Sequence, residues 1–286
     1  MIAGFNQPFQ LNKRHLLVDP HGGAAGLHRV DPSSSSLFTF AQQLCNTGGS
    51  WYPHPQAVRG VRLVAVDEVV HLPRQVSAFE SRFETVIDLR GSGGAHFNFN
   101  TRAFSGSQLV VLQALRDRFH DATAVVNTVY SFHGPRRENL ESICKNGLVA
   151  VRAMDAGFFG SGCYTTLNIE YAARYARGDF DKPVPGVRVS PDDRFPVIMF
   201  AACVGMAYPV TPDADYGHTV GVPRGHSDFF GRPLRPGFDC HCVCVSEHYG
   251  LQAVSRDHCQ YMELVHDQQS DLLPVAVLWF ESTDVV

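Results

Sequence analysis

Three short stretches of the chain contain the side chains that could do chemistry. "FHGPRRENLESICKNGL" carries His133, "FFGSGCYTTLNIEYAARYA" carries Tyr164, and "CQYMELV" carries Glu263. An imidazole or a phenol can bind and orient a polar ligand, and a carboxylate stabilises the positive charge that develops when a glycosidic bond breaks. Each residue alone has a commoner structural role: a His-Gly pair is usually a turn, and alternation along a strand could turn the Glu263 side chain towards water. A functional site is therefore indicated by the order and the flanking residues of the three stretches, and not by any one residue.

The pattern around these stretches predicts the elements that hold them. "VRGVRLVAVDEVVHL" alternates and predicts a strand, and "PRQVSAFESRFETV" predicts a helix with Val76, Phe79 and Phe83 on one face. "ATAVVNTVYSF" predicts a strand that leads into His133, and the helix in "PRRENLESICKNG" is expected to end at Gly147. Later strands are predicted at Pro196–Val204, Cys240–Ser246, Tyr261–His266 and Leu273–Glu281. Early helices and late strands indicate an α+β fold.

The first 56 residues differ in composition from the rest of the chain. "DPHGGAAGLHRVDPSSSSLF" is rich in Gly, Ser and Pro and has no periodicity, which predicts a loop or an extension. Within it, "FTFAQQLCN" could form one short helix or strand. We therefore expect an N-terminal extension over residues 1–56 and one domain over residues 57–286.

Composition limits the classes of partner. With 24 Lys and Arg against 28 Asp and Glu, the chain lacks the basic surface that an obligatory nucleic-acid partner requires. The longest apolar run, Phe195–Val210, is too short for a membrane span and predicts a buried strand. The N-terminus has no apolar core of signal-peptide length, so the eight cysteines are predicted to be reduced in an intracellular compartment, cytoplasmic or nuclear.

Together the three stretches resemble the catalytic domain of the poly(ADP-ribose) polymerase family, which belongs to the diphtheria-toxin-like ADP-ribosyltransferases. The family has a His-Gly at a strand end, a Gly-x-Gly-x-Tyr strand and a Glu on a late strand, and all three occur here in that order. The similarity spans roughly Val58 to Glu281. It implies an ADP-ribosyltransferase fold, with two packed, mostly antiparallel sheets around an NAD cleft and flanking helices, and makes residues 57–286 the catalytic domain.

The resemblance also implies roles for individual residues, with NAD+ as co-substrate. His133 would bind a ribose hydroxyl, and the Gly134 backbone would bind the nicotinamide carboxamide. Tyr164 and Tyr175 would sandwich the nicotinamide ring. Glu263 would stabilise the cation that forms when the nicotinamide–ribose bond breaks. ADP-ribose would then pass to a protein acceptor, which includes the chain itself.

The chain departs from the family pattern at two positions of the expected donor site. Ala172 stands one helical turn before Tyr175, where many members have a Ser, and Pro135 stands where Ser or Thr is common. A lost neutral hydrogen bond is worth about 0.5–1.5 kcal/mol, so we expect NAD affinity to fall several-fold. These departures favour mono- over poly-ADP-ribosylation. Arg152, on the segment Val149–Phe158 that matches the donor loop, is a candidate pyrophosphate or adenosine contact.

The same residues are compatible with two other interpretations. One is a catalytically silent NAD or ADP-ribose binding module that acts by recruitment. Another is a transferase of the same fold that modifies nucleic acid or a small molecule. "GFFGSG" does not follow the first strand of a βαβ unit, so it is not a Rossmann loop. Cys240, His241, Cys242 and Cys244 match no common zinc module, and no metal is expected.

Overall fold

The structure, a computed structural model, describes residues 26–47, 60–90, 104–119, 128–150, 157–180 and 194–283. Its helices are α1 (Ser36–Asn46), α2 (Pro73–Arg90), α3 (Gly106–Phe119), α4 (Leu140–Asn146) and α5 (Ile169–Arg177). Its strands are β1 (Gly26–Arg29), β2 (Val61–Val70), β3 (Thr128–His133), β4 (Cys163–Thr166), β5 (Phe195–Cys203), β6 (Ala207–Val210), β7 (Cys240–Ser246), β8 (Gln252–Ala253), β9 (Tyr261–His266) and β10 (Leu272–Ser282).

The described strands form one ten-stranded sheet in the order β1-β2-β10-β5-β3-β4-β9-β7-β6, with β8 paired to β7. Neighbouring strands are antiparallel, and β6 and β7, which run parallel, are the exception among the described pairs. The predicted α+β class and the mostly antiparallel sheet are therefore confirmed.

The structure joins the two expected sheets into one continuous sheet. β3 and β4 pair through Phe132 and Thr166 alone. This pair joins a first half (β1, β2, β10, β5, β3) to a second half (β4, β9, β7, β6). Because β3 and β4 share one backbone pair, the sheet is least continuous between these two strands. His133 and Tyr164, which the resemblance assigns to the cleft, lie on these two strands.

Most predicted elements are confirmed, because strong periodicity and local end signals agree there. The alternating run is β2, the proline-initiated helix is α2, and the four late strands are β5, β7, β9 and β10. On α2, Phe79 is buried and Phe83 packs half-buried against the same cluster. α4 ends at Gly147 as predicted, with a φ of +84° that favours glycine, but its ψ of 170° differs from the left-handed helical conformation expected of the cap.

The run Phe195–Val210 is not one strand, as its composition suggested, but β5 followed by β6. Gly205 separates the two with a φ of +54°. A side chain at this position would lie 2.6 Å from Oδ2 of Asp239, which accepts a hydrogen bond from the backbone N–H of Met206. The turn is therefore built around a buried carboxylate, and a hydropathy pattern does not reveal it.

Residues 26–47 belong to the same sheet as the rest of the described chain. β1 pairs with β2 from Gly26 opposite Val70 to Arg29 opposite Asp67. "FTFAQQLCN" is helical, as one of its two expected alternatives, and the Ser35 hydroxyl caps α1 by accepting a hydrogen bond from the Phe38 N–H. The buried face of α1 joins a core cluster with β2, β3, β5 and β10.

Helix α2 is fixed to the sheet by buried ions. Nε of Arg82 lies 2.6 Å from Oδ1 of Asp271, and its Nη2 lies 3.1 Å from Oδ1 of Asp239. All three side chains are buried, so two carboxylates share one buried cation inside the protein. None of the helices in the described ranges is long and apolar enough to cross a bilayer.

Candidate active site

The junction of the two sheet halves holds the three residues that the sequence singled out. β4 lies between β3 and β9, and its Thr166 is opposite Phe132 on one side and opposite Glu263 on the other. His133 follows Phe132 at the end of β3, and Tyr164 lies on β4. The fold therefore brings His133, Tyr164 and Glu263 onto three neighbouring strands.

His133 links β3 to β4 beyond the last backbone pair. Its Nδ1 lies 3.0 Å from the carbonyl oxygen of Tyr164. Burial lowers the pKa of His133 to about 4, although the bond to Tyr164 acts in the opposite direction. At neutral pH the ring is therefore uncharged, with its proton on Nδ1 donated to the carbonyl. That tautomer leaves Nε2 unprotonated, so Nε2 can accept a hydrogen bond from a ribose hydroxyl.

Tyr164 is fixed by the glycine-rich segment that precedes it. Its hydroxyl accepts a hydrogen bond from the Phe159 N–H and donates one to the Gly160 carbonyl, both at 2.8 Å. These bonds hold the ring in one orientation and occupy the hydroxyl. A bound ligand would accordingly meet the Tyr164 ring rather than its hydroxyl, which fits a stacking role better than a proton-transfer role.

The segment around Phe159 is in turn held by His241. Nδ1 of His241 lies 2.6 Å from the Phe159 carbonyl oxygen, and Nε2 accepts a 2.8 Å hydrogen bond from the Arg235 N–H. Burial lowers the pKa of His241 to about 4, so the ring is neutral and can accept from Arg235. His241 therefore supports the segment that precedes Tyr164.

The cysteines next to His241 are core residues. Cys240, Cys242 and Cys244 belong to one apolar cluster, on the face of β7 opposite His241, as the alternation along a strand predicts. All eight cysteines lie in the described ranges as buried free thiols. Among the described residues, no three His, Cys, Asp or Glu side chains are grouped to hold a metal ion.

Glu263 lies in the middle of β9 and is only 7% exposed. Its neighbour Met262 is anchored through both polar backbone atoms. The Met262 carbonyl accepts hydrogen bonds from the Thr166 hydroxyl at 2.8 Å and the Leu167 N–H at 3.0 Å, and its N–H donates to Oδ1 of Asn168 at 2.9 Å. β9 is thus bound to the end of β4 and the start of α5, so Glu263 does not point out to water.

A residue that sequence reasoning missed, Tyr171, contacts the Glu263 carboxylate directly. The Tyr171 hydroxyl donates to Oε1 of Glu263 at 2.5 Å, and its ring stacks on Tyr261 with centroids 4.5 Å apart and planes 15° apart. Burial and the nearby carboxylate raise the pKa of the Tyr171 phenol, so it stays a donor at neutral pH. Its position four residues before Tyr175, one helical turn, is the signal that could have found it.

Tyr175, the expected second stacking residue, lies on the same face of α5 and is 45% exposed. Its ring is perpendicular to that of Tyr171, with centroids 5.1 Å apart, and the two hydroxyls are 3.4 Å apart. Phe180 packs against it at 4.6 Å. Two aromatic neighbours thus set the orientation of a ring that still presents surface to solvent.

Gly134 and Ala172 meet where α5 crosses the end of β3. A Cβ on Gly134 would lie 2.7 Å from the Ala176 nitrogen and even closer to the Ala172 carbonyl oxygen. The glycine is therefore required by the approach of α5, a reason that the sequence did not reveal. Ala172 is buried, with a methyl group where the resemblance led us to expect a hydroxyl. Arg152 lies outside the described residues.

Comparison with known proteins gives two findings. The family model of the poly(ADP-ribose) polymerase catalytic domain matches residues 108–207. This range includes His133, Tyr164 and Tyr175, but Glu263 lies beyond it. Among solved structures, the crystal structure of the TASOR pseudo-PARP domain matches with a TM-score of 0.50 and 14% sequence identity, over 90% of this chain and 99% of that one. A comparison with curated protein sequences found no match.

These findings confirm the resemblance to poly(ADP-ribose) polymerase catalytic domains and the corresponding fold. The family match rests on the middle of the chain, whereas the likeness in fold extends over nearly all of it. At 14% identity the structural match concerns the fold alone.

Proposed function

From the resemblance of residues 108–207 to poly(ADP-ribose) polymerase catalytic domains, we propose that this chain is an NAD+-dependent ADP-ribosyltransferase with a protein acceptor. The observation that carries the proposal is the placement of His133, Tyr164 and Glu263 on β3, β4 and β9, where the sheet halves meet. The donor can be held by a neutral imidazole and a fixed aromatic ring, and the buried carboxylate can stabilise positive charge on its ribose.

In the proposed reaction the bond between nicotinamide and ribose C1′ breaks, and its electron pair stays on the nicotinamide nitrogen. Positive charge develops on the ribose, and the carboxylate of Glu263 stabilises it. A nucleophilic side chain of the acceptor then forms the new bond to C1′ and releases its proton to solvent water. Nε2 of His133 accepts a hydrogen bond from a ribose hydroxyl, and the backbone of Gly134 binds the nicotinamide carboxamide.

The two tyrosines orient the nicotinamide ring in this proposal. Tyr164 offers a ring locked through its hydroxyl, and Tyr175 offers a partly exposed ring on α5. Stacking orients a flat ring as well as binding it. Because Ala172 lacks a hydroxyl for the carboxamide, donor binding is weaker than in members with a serine, and we favour transfer of single ADP-ribose units, including to the chain itself.

A second candidate is a silent module that binds NAD or ADP-ribose without transferring it. The observation that favours it is the burial of Glu263, whose carboxylate already accepts a hydrogen bond from the Tyr171 hydroxyl. The structurally similar TASOR domain is described as a pseudo-PARP domain. In this case NAD would bind, but Glu263 would not act on it.

Labelled NAD+ separates these candidates. The purified chain is incubated with NAD+ labelled in the ADP-ribose part and resolved on a denaturing gel, beside Glu263→Gln. As a matched control, Glu281→Gln makes the same change at a carboxylate on β10 that pairs with Arg62 and Arg194. A discrete band in the wild type and in Glu281→Gln, reduced on the order of 10²–10³-fold in Glu263→Gln, supports transfer.

Other outcomes of the same experiment are equally informative. A high-mass smear would indicate polymer rather than single units. No label on the chain or on added acceptor proteins, together with NAD binding measured by calorimetry, would establish the silent module. Equal labelling of the wild type and Glu263→Gln would remove Glu263 from the mechanism.

A further inference from the structure

The hydroxyl of Tyr171 donates a hydrogen bond to the Glu263 carboxylate, and both residues are buried. In the proposed reaction a carboxylate must meet a cation at one defined point, yet a glutamate side chain has three rotatable bonds. A short hydrogen bond from a rigid aromatic side chain restricts these torsions. The arrangement resembles the outer partners that orient catalytic groups in other enzymes.

We infer that Tyr171 is a positioning residue, whose hydroxyl holds Glu263 in the orientation that stabilises the ribose cation. The inference rests on the proposed transferase function. Tyr171 need not touch the substrate, because it acts through the carboxylate that it binds. A carboxylate has about four acceptor sites on its two oxygens, so the bond to Oε1 leaves capacity for a ribose hydroxyl.

Tyr171 is itself held by two aromatic neighbours. Its ring stacks on Tyr261 and meets the ring of Phe180 edge-on, with centroids 5.6 Å apart. The Tyr261 hydroxyl donates elsewhere, to Oε1 of Glu247 at 2.7 Å, so the stack itself does not depend on it. The ring that orients Glu263 is therefore fixed between α5 and β9 and has little freedom to turn.

The same hydroxyl also connects the carboxylate to the proposed nicotinamide site. The hydroxyls of Tyr171 and Tyr175 are 3.4 Å apart, which places Glu263, Tyr171 and Tyr175 in one polar chain. A ligand that stacks on Tyr175 would thus be connected to the carboxylate through the hydroxyls of Tyr175 and Tyr171. Ring binding and cation stabilisation are coupled through one helical turn of α5.

Two tyrosine variants test the inference, since the chain offers a matched pair of stacked rings. Tyr171→Phe keeps the stack and removes the hydroxyl on Glu263, whereas Tyr261→Phe keeps the stack and removes the hydroxyl on Glu247. Initial rates of ADP-ribose transfer are measured over a range of NAD+ concentrations, with melting temperatures as a check on folding. We expect Tyr171→Phe to lower kcat about ten- to a hundred-fold with KM within about two-fold of wild type.

The control decides between positioning and mere packing. Tyr261→Phe is expected to change kcat by less than about three-fold, even if the melting temperatures of both variants fall by a similar amount. A kcat for Tyr171→Phe that equals that of Tyr261→Phe, or exceeds wild type, would overturn the inference. In the latter case the hydroxyl blocks Glu263 instead of orienting it.

Failure of the proposed function gives a different result. A wild type that transfers no label refutes the transferase and the positioning role with it, whereas an active wild type with an unaffected Tyr171→Phe refutes the positioning role alone. If Tyr171→Phe does not fold, Tyr175→Phe removes the other hydroxyl of the polar chain at a partly exposed site. A several-fold loss of kcat at constant KM would then support the inference, and an unchanged kcat would overturn it.

Discussion

Substitution of Gly134 by alanine tests how closely α5 must approach β3. The added methyl group would lie 2.7 Å from the Ala176 nitrogen, 2.9 Å from the Ala172 carbonyl carbon and closer still to the Ala172 carbonyl oxygen. All three are backbone atoms of a helix, so none can move away alone. The helix must shift as a unit, with Tyr171 and Tyr175 on it.

The expected cost follows from this geometry. Forcing an extra methyl group into a well-packed site costs about 1–3 kcal/mol. For a chain of this size about 1 kcal/mol lowers the melting temperature by roughly 2–4 °C, so we expect a fall of about 2–12 °C. On the proposed function, displacement of α5 should also weaken NAD binding, because both the proposed carboxamide contact at Gly134 and the Tyr175 ring move.

Differential scanning fluorimetry with and without NAD+ measures both effects. Gly106→Ala is the matched control, because nothing lies within 4 Å of the position that its added methyl group would take at the start of α3. Alanine is also the better helix former there, so its melting temperature should be equal or slightly higher. If Gly134→Ala has the same melting temperature as the wild type, α5 does not approach Gly134 as closely as described, and the reasoning is wrong.

Three further predictions concern binding, stability and pH. Tyr175→Ala should raise the Kd for NAD about two- to ten-fold by calorimetry, since ring stacking is worth about 0.5–1.5 kcal/mol; an unchanged Kd would place the nicotinamide elsewhere. Arg82→Ala should lower the free energy of unfolding in urea by about 3–5 kcal/mol, because Asp239 and Asp271 stay buried without this cation; a loss below about 1 kcal/mol would contradict the buried triad. Burial lowers the pKa of His241 from 6.5 to about 4, so the unfolded chain binds more protons in this interval and stability falls as the pH drops through it, by about 1–2 kcal/mol between pH 7 and 5. His241→Gln should reduce this pH dependence, and an equal dependence in both proteins would refute the neutral buried ring.

Elements with strong local signals could be predicted from the sequence. β2 has an alternating pattern, α2 begins at a proline, and α4 ends at a glycine with positive φ. The break between β5 and β6 could not be predicted, because it depends on Asp239, more than thirty residues away along the chain. The pairing of β1 with β2 likewise depends on tertiary contacts, since "GLHR" has no strand pattern of its own.

The candidate site shows the same division between residue type and position. The order of His133, Tyr164 and Glu263 was visible, and so was the presence of Tyr175 eleven residues after Tyr164. The reason for Gly134 was not, because the close approach that requires a glycine is made by a helix, and no local pattern records it. The domain boundary after residue 56 stays a prediction, although residues 26–47 add a strand and a helix to the sheet.

The orientation of Glu263 could not be decided from the sequence. Alternation predicts one buried and one exposed face, but all six residues of β9 are buried, because core packs against both of its faces. In such a strand a carboxylate is tolerated only where a polar partner meets it, since an isolated buried charge is costly. Tyr171 supplies that partner. Burial of the Glu263 carboxylate lowers stability unless a donor such as Tyr171 compensates it. This costly arrangement is the strongest structural reason to test the chain for transferase activity.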